Sequence, residues 1–218
     1  MPEQIQRRSA LMAVYTEGAS ANGPNSEIGL MIHERHPLTM FDIGGDASDK
    51  AFLTAAEKAV GCPLPATPNT VISADTLRVL WLSPKRWLCV DSSDGFDVRD
   101  ISVGAVNDVR DISVGAVNNV SSGRTVLRLH GPRLRDVLAK GCPLDLHLKN
   151  FRFGECAQSK IDGLNVLLDH IDDDTFDIYV ARGFARTFWE WLIEAANEYG
   201  YLVEKPLIRP VITSNKAP

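Results

Sequence analysis

The block GCPL occurs twice, as GCPLP at 61–65 and as GCPLD at 141–145, and each copy closes a helix-like stretch with a strand before it and more β-type sequence after it. Glycine stops a helix because it adopts the left-handed conformation without a Cβ penalty, and a proline just beyond keeps the helix from resuming. Two such stops constrain this 218-residue chain to an α+β class with two related small subdomains, antiparallel sheets carrying packed helices. Chance recurrence of a short block is the competing explanation.

The first subdomain is expected over 28–96. IGLMIHER and PLTMFDIGG read as strands, and SDKAFLTAAEKAVG places Phe52, Leu53, Ala56, Ala59 and Val60 at helical spacing. Asp46 or Ser48 is available as its N-cap and Gly61 as its stop. TLRVLWLSPKRWLCVD supplies two further strands hinged at Ser83–Pro84.

The second subdomain is expected over 121–205. Thr125 to Leu129 form a strand, Gly131 caps a helix with Pro132 in its first turn, and Leu134, Val137 and Leu138 make the buried stripe. An antiparallel meander follows, with Asp162–Gly163 at its first turn, because a tight hairpin favours residues that accept positive φ. The acidic tip Asp172–Asp174 forms its second turn, and FARTFWEWLIEAANEYG is the strongest helix in the chain.

Between the two lies a connector, 97–120, in which DVRDISVGAVN is printed twice without change. Eleven residues make almost three helical turns, so a helix absorbs such a duplication with its buried face unmoved, whereas a strand would turn every side chain over. The first copy therefore reads as a helix and the second as a turn leading into a strand at Gly115–Val120. Residues 1–27, small and polar around TEGASANGPNS, read as a flexible arm, and 206–218 as a tail.

Several functions lose support. A net charge of −5 disfavours nonspecific nucleic-acid binding, and no run approaches the roughly 18 apolar residues of a membrane span. Cys62, Cys89, Cys142 and Cys156 contain no CxxC pair, which favours free, buried thiols in the cytoplasm over zinc or a redox pair. His33 and His36, in HERH, are too isolated from other ligands to define a metal site. With no GxSxG, GxxxxGK[ST] or strand-plus-GxGxxG pattern, no catalytic, cofactor-binding or metal-ligating residue is assigned.

The best hint of a binding surface is aromatic. In the last helix Phe184, Phe188, Trp191, Leu192, Ala195 and Tyr199 make one apolar face, which Trp189, Ile193 and Ala196 widen. Deep burial of the whole helix explains this; a partner surface formed by Trp189 and Ile193 with Arg182 and Arg186 beside them explains it too.

The runs FLTAAEKAVGCPLPATPNT, VLWLSPKRWLCV, SSGRTVLRLHGPRLRDVLAKGCPLDLH and FDIYVARGFARTFWEWLIEAA, in this order over about residues 28–203, resemble the gamma subunit of heterotetrameric sarcosine oxidase. The resemblance implies a fold similar to the folate-binding aminomethyltransferases of glycine cleavage. It implies membership of a complex with alpha, beta and delta subunits that demethylates sarcosine oxidatively and passes the one-carbon unit to tetrahydrofolate. FAD, FMN and NAD are then expected in other subunits and no cofactor in this chain, which would pack directly on the alpha subunit as a non-catalytic accessory. Two departures are Lys85–Arg86 ahead of Trp87, where many relatives have an acidic residue, and the twin eleven-mer. A free-standing folate-binding protein of the aminomethyltransferase type, or the small subunit of a related N-methyl amino-acid dehydrogenase, are the alternatives.

Overall fold

The structure is a computed structural model, and it describes residues 8–93 and 115–207. In chain order the elements are β1 (Ser20–Asn22), β2 (Leu30–Glu34), β3 (Thr39–Gly44), α1 (Lys50–Val60), β4 (Val71–Ala74), β5 (Leu77–Ser83) and β6 (Arg86–Asp91). After the connector come β7 (Ala116–Asn119), β8 (Arg124–His130), α2 (Leu134–Ala139), β9 (Cys156–Ile161), β10 (Leu164–Asp172), β11 (Thr175–Ala181), α3 (Ala185–Asn197) and β12 (Gly200–Val203).

Among the described residues, 38–93, 115–120 and 207 form one compact unit, and 8–37 with 121–206 form another. The first boundary therefore falls after Pro37 and not at residue 28, where the sequence placed it. The cause is β2, which pairs antiparallel with β8 (Ile32 opposite Leu129) and parallel with β12 (Ile32 beside Val203). Its fully buried Leu30 and Ile32 join the same core cluster as Leu127, Leu129 and Val203, so apolar burial draws the strand to the second half of the chain.

The smaller unit is a five-stranded antiparallel sheet in the order β4-β5-β6-β3-β7. The larger is seven-stranded, in the order β1-β12-β2-β8-β11-β10-β9. Inside each lies the same path: a strand, a helix, then a three-stranded meander whose last strand pairs back on the first, β6 on β3 and β11 on β8. Cys62 and Cys142, one residue past each GCPL glycine, are both buried in their own unit's core. The repeated block thus marks a repeated architecture.

Local chemistry explains where the helices begin and end. Asp49, and neither Asp46 nor Ser48, caps α1: its Oδ1 accepts from the Ala51 amide at 2.8 Å and the Phe52 amide at 3.3 Å. Asp46 instead accepts from the amide and hydroxyl of Ser48, and these bonds hold its carboxyl down at about 2. Gly61, at φ 84°, closes the helix as expected. Helix α2 starts after Arg133 and not at Gly131. A Cβ on Gly131 would lie 2.5 Å from the Gly29 carbonyl oxygen, so that glycine permits close approach of two backbones and does not cap.

Asp162 and Gly163 take φ of 47° and 78°, as the tight hairpin between β9 and β10 requires. Strand β7 falls at the end of the second eleven-mer, inside the expected Gly115–Val120; the expected helix of the first copy lies outside the described residues.

The N-terminal stretch is not a free arm over its described residues. Leu11 is fully buried in the larger unit's core, β1 pairs with β12, and the Ser9 hydroxyl donates to Glu34 Oε1 at 2.5 Å. The Tyr15 hydroxyl donates to the Glu204 carbonyl at 2.6 Å and accepts from the Glu34 amide at 3.0 Å, and burial pushes its pKa up to about 12. No described helix is long and apolar enough to cross a membrane.

Candidate functional site

The four thiols sit in the core, with Cys89 and Cys156 fully buried. Burial raises the Cys62 thiol, and raises that of Cys89 to about 12, so neither presents a thiolate near neutral pH.

Two faces of the larger unit concentrate chemistry. The first is built by α3, whose buried stripe Phe188, Leu192 and Ala196 holds the helix against its sheet. Trp189 also turns inward: it is only 6 % exposed and its ring lies 5.1 Å from that of Tyr15. Ile193 is half-buried and lines an open groove of about 490 Å³ with Val14, Trp189, Glu190, Glu194 and Asn197. Arg186 pairs with Glu190 one turn on at 2.8 Å, and Arg182 donates to the Arg8 carbonyl at 2.8 Å. The structure thus brings Trp189 and Ile193 together at one groove and ties the two arginines to acceptors in their own chain. Val14 was missed because a polar leader reads as linker, although the apolar run LMAVY was visible.

The second face is the other side of the same sheet, where alternation places the side chains of β2 and β8 that turn away from the apolar core. Asp177, fully buried, accepts a bidentate pair from Arg128 at 2.8 and 2.9 Å and a further bond from Arg35. Beside them His33 Nε2 lies 2.5 Å from Glu204 Oε2 and 3.0 Å from His130 Nε2, and His130 Nε2 lies 3.4 Å from the same carboxylate oxygen. Burial lowers the pKa of His130, against the opposing hydrogen bond to Glu204, and favours the neutral imidazole. His33 was singled out in HERH, but its partners lie 97 and 171 positions away, where no local pattern reaches. His36 is not part of the cluster.

The acidic tip between β10 and β11 is a hairpin end: Asp172 Oδ1 accepts from the Asp173 amide at 2.9 Å, and Asp174 pairs with Arg135. Lys85 and Arg86 turn toward acids as well, Arg86 making a bidentate pair with Asp42 at 2.8 and 2.6 Å and Lys85 reaching Asp46 at 3.3 Å.

A strand–helix–meander used twice defines a protein of the aminomethyltransferase fold class. The aminomethyltransferase T of the glycine cleavage system from Bartonella henselae superposes with a TM-score of 0.54 at 16 % identity, over 83 % of this chain and 48 % of that one. The sarcosine oxidase, gamma subunit family model matches residues 44–198, and the chain belongs to that family. It is 32 % identical over 146 residues to the sarcosine oxidase subunit gamma of Corynebacterium sp. (strain P-1), spanning 66 % of this chain and 70 % of that protein. The corresponding subunit of Arthrobacter sp. is 30 % identical over the same length. Among solved structures, a chain of the heterotetrameric sarcosine oxidase from Corynebacterium sp. U-96, in complex with pyrrole 2-carboxylate, matches with a TM-score of 0.76 at 26 % identity, covering 88 % of this chain and 96 % of that one.

Proposed function

We propose that this chain works as the non-catalytic gamma-type subunit of a cytoplasmic heterotetrameric sarcosine oxidase, packed directly on the alpha subunit, with beta and delta subunits in the same assembly. The complex demethylates sarcosine oxidatively to glycine and hands the one-carbon unit to tetrahydrofolate, and other subunits hold the FAD, FMN, NAD and folate. This chain contributes complementarity of surface. The alpha subunit seats an apolar projection in the groove of Val14, Trp189 and Ile193, and basic groups on it meet the carboxylates of Glu190 and Glu194 on the rim.

The observation that carries this reading is that groove, an apolar floor beside two acidic side chains. Exposed apolar residues in the same two segments support it: Met12 is 63 % exposed and Phe184, just ahead of α3, is 55 % exposed. Obligate partners bury large apolar areas of this kind, often above about 2,000 Å² in total.

Co-expression with the large subunits tests it. The unmodified chain is expected to co-purify with a flavoprotein, and Ile193→Glu to reduce that recovery at least tenfold while the circular dichroism of the chain stays unchanged. A well-behaved monomer that turns over sarcosine unaided, or that binds tetrahydrofolate at micromolar concentration without partners, overturns the reading.

A further inference from the structure

His33, His130 and Glu204 play no part in the packing role just described. Strand register brings them together, because β2 lies between β8 and β12 with Met31 opposite His130, His33 opposite Arg128 and Ile32 beside Val203. Side chains alternate along a strand, so His33 shares its face with Arg128 and His130, and Glu204, one residue past Val203, falls on that face too.

The tautomer set by the backbone turns a ring nitrogen into the cluster. The Lys205 carbonyl can only accept, so His33 Nδ1, 3.1 Å from it, carries the proton of that hydrogen bond. A neutral His33 then turns the lone pair of Nε2 toward the Glu204 carboxylate at 2.5 Å and toward His130 Nε2 at 3.0 Å. A cation shared by the three atoms, which all lie within 4.8 Å of one another, satisfies the three contacts at once.

We propose that His33, His130 and Glu204 form a binding site for a zinc-class divalent transition-metal ion, which ties the end of β12 to β2 and β8. Two imidazole nitrogens with one carboxylate oxygen suit zinc, whereas magnesium and calcium prefer oxygen alone. Zinc bonds such atoms at about 2.0–2.1 Å, which in a tetrahedron spaces its ligands about 3.3 Å apart; the 3.0 and 3.4 Å separations are near this, and the 2.5 Å contact of His33 with Glu204 opens by about 0.8 Å on binding. An ion at that bond length from all three stands about 1 Å out of their plane, with a fourth position open to water. The Lys205 carbonyl fixes the His33 tautomer from behind, as the second shell of a metal site does. Two ligands come from adjacent strands and the third from the residue just past β12, so the ion binds the folded sheet and not the unfolded chain, and it raises the unfolding temperature.

The full chain, purified with any subunits that accompany it, is stripped with a chelator and titrated with Zn(II) and Co(II). The unmodified protein is expected to bind one more equivalent than His130→Gln or Glu204→Gln, to show visible d–d absorption with Co(II), and to unfold at higher temperature when Zn(II) is added. Each variant is expected to bind at this site at least 10–100-fold more weakly. His147→Ala, a histidine outside the cluster, is expected to bind as the unmodified protein does. Equal binding by the unmodified protein and the Glu204→Gln variant overturns the proposal, and so does Mg(II) binding as tightly as Zn(II). A zinc-edge anomalous difference map of the zinc-soaked unmodified protein needs no variant to fold: a peak among the three side chains supports the site, and its absence refutes it.

Discussion

Asp177→Asn tests the charged face of the larger sheet. The carboxylate is fully buried, and the two guanidinium groups it holds are nearly so, with side-chain exposures of 5 % for Arg35 and 13 % for Arg128. Asparagine keeps the volume and one acceptor but removes the charge, leaving one negative group fewer beside two buried cations. Removing one partner of a buried ion pair costs about 3–5 kcal/mol, because the desolvated charge left behind cannot recover its hydration. The acceptor that asparagine keeps for the guanidinium groups brings the expectation to the low end, about 3 kcal/mol. For a chain of this size that is a fall in unfolding temperature of about 6–12 °C. Thermal unfolding by circular dichroism reads the total, and hydrogen exchange in peptides of β8 and β11 reads the larger unit by itself. Arg35→Met is the comparison: it leaves Asp177 in its bidentate pair with Arg128, so it is expected to cost less. A shift below about 2 °C for Asp177→Asn, or a larger loss for Arg35→Met, refutes the account of the cluster as desolvated and charge-balanced.

Two further outcomes follow from the cores. A Cβ on Gly45 would lie 2.2 Å from Phe52 Cζ, and one on Gly115 equally close to Cε2 of the same buried ring, so Gly45→Ala is expected to cost about 1–3 kcal/mol, with part of the loss restored by Phe52→Leu in a denaturant titration of the double variant. All four cysteines are buried, so the native chain is expected to resist a thiol reagent at neutral pH and to release four equivalents in denaturant; fast labelling of native Cys89 contradicts its burial.

Much of the fold was legible because its signals are local. The α1 periodicity ends at a glycine that does adopt φ 84°, and the β9–β10 turn is the Asp-Gly dipeptide in the positive-φ pair that such turns need. The choice of Asp49 over its neighbours as cap was not legible, since all three side chains are competent and the backbone path decides which one faces the first turn. The paired glycines 44 and 45 read only as a turn, and the structure gives Gly45 a different duty, making room for the ring of Phe52. Trp189 was marked for an interface by its residue type, yet most of its surface is covered by its own chain through Tyr15.

The sequence by itself determined the α+β class, the two related halves and the positions of most strands and helices, because periodicity, caps and turn dipeptides act over a few residues. Tertiary structure alone decided that β2 leaves the first half for the second, that the N-terminal stretch folds under α3, and that His33, His130 and Glu204 meet. Those outcomes rest on pairing between strands far apart in the chain, where burial of Leu30, Ile32 and Leu11 outweighs the loop entropy of bringing them there, and neighbouring residues carry no record of that balance.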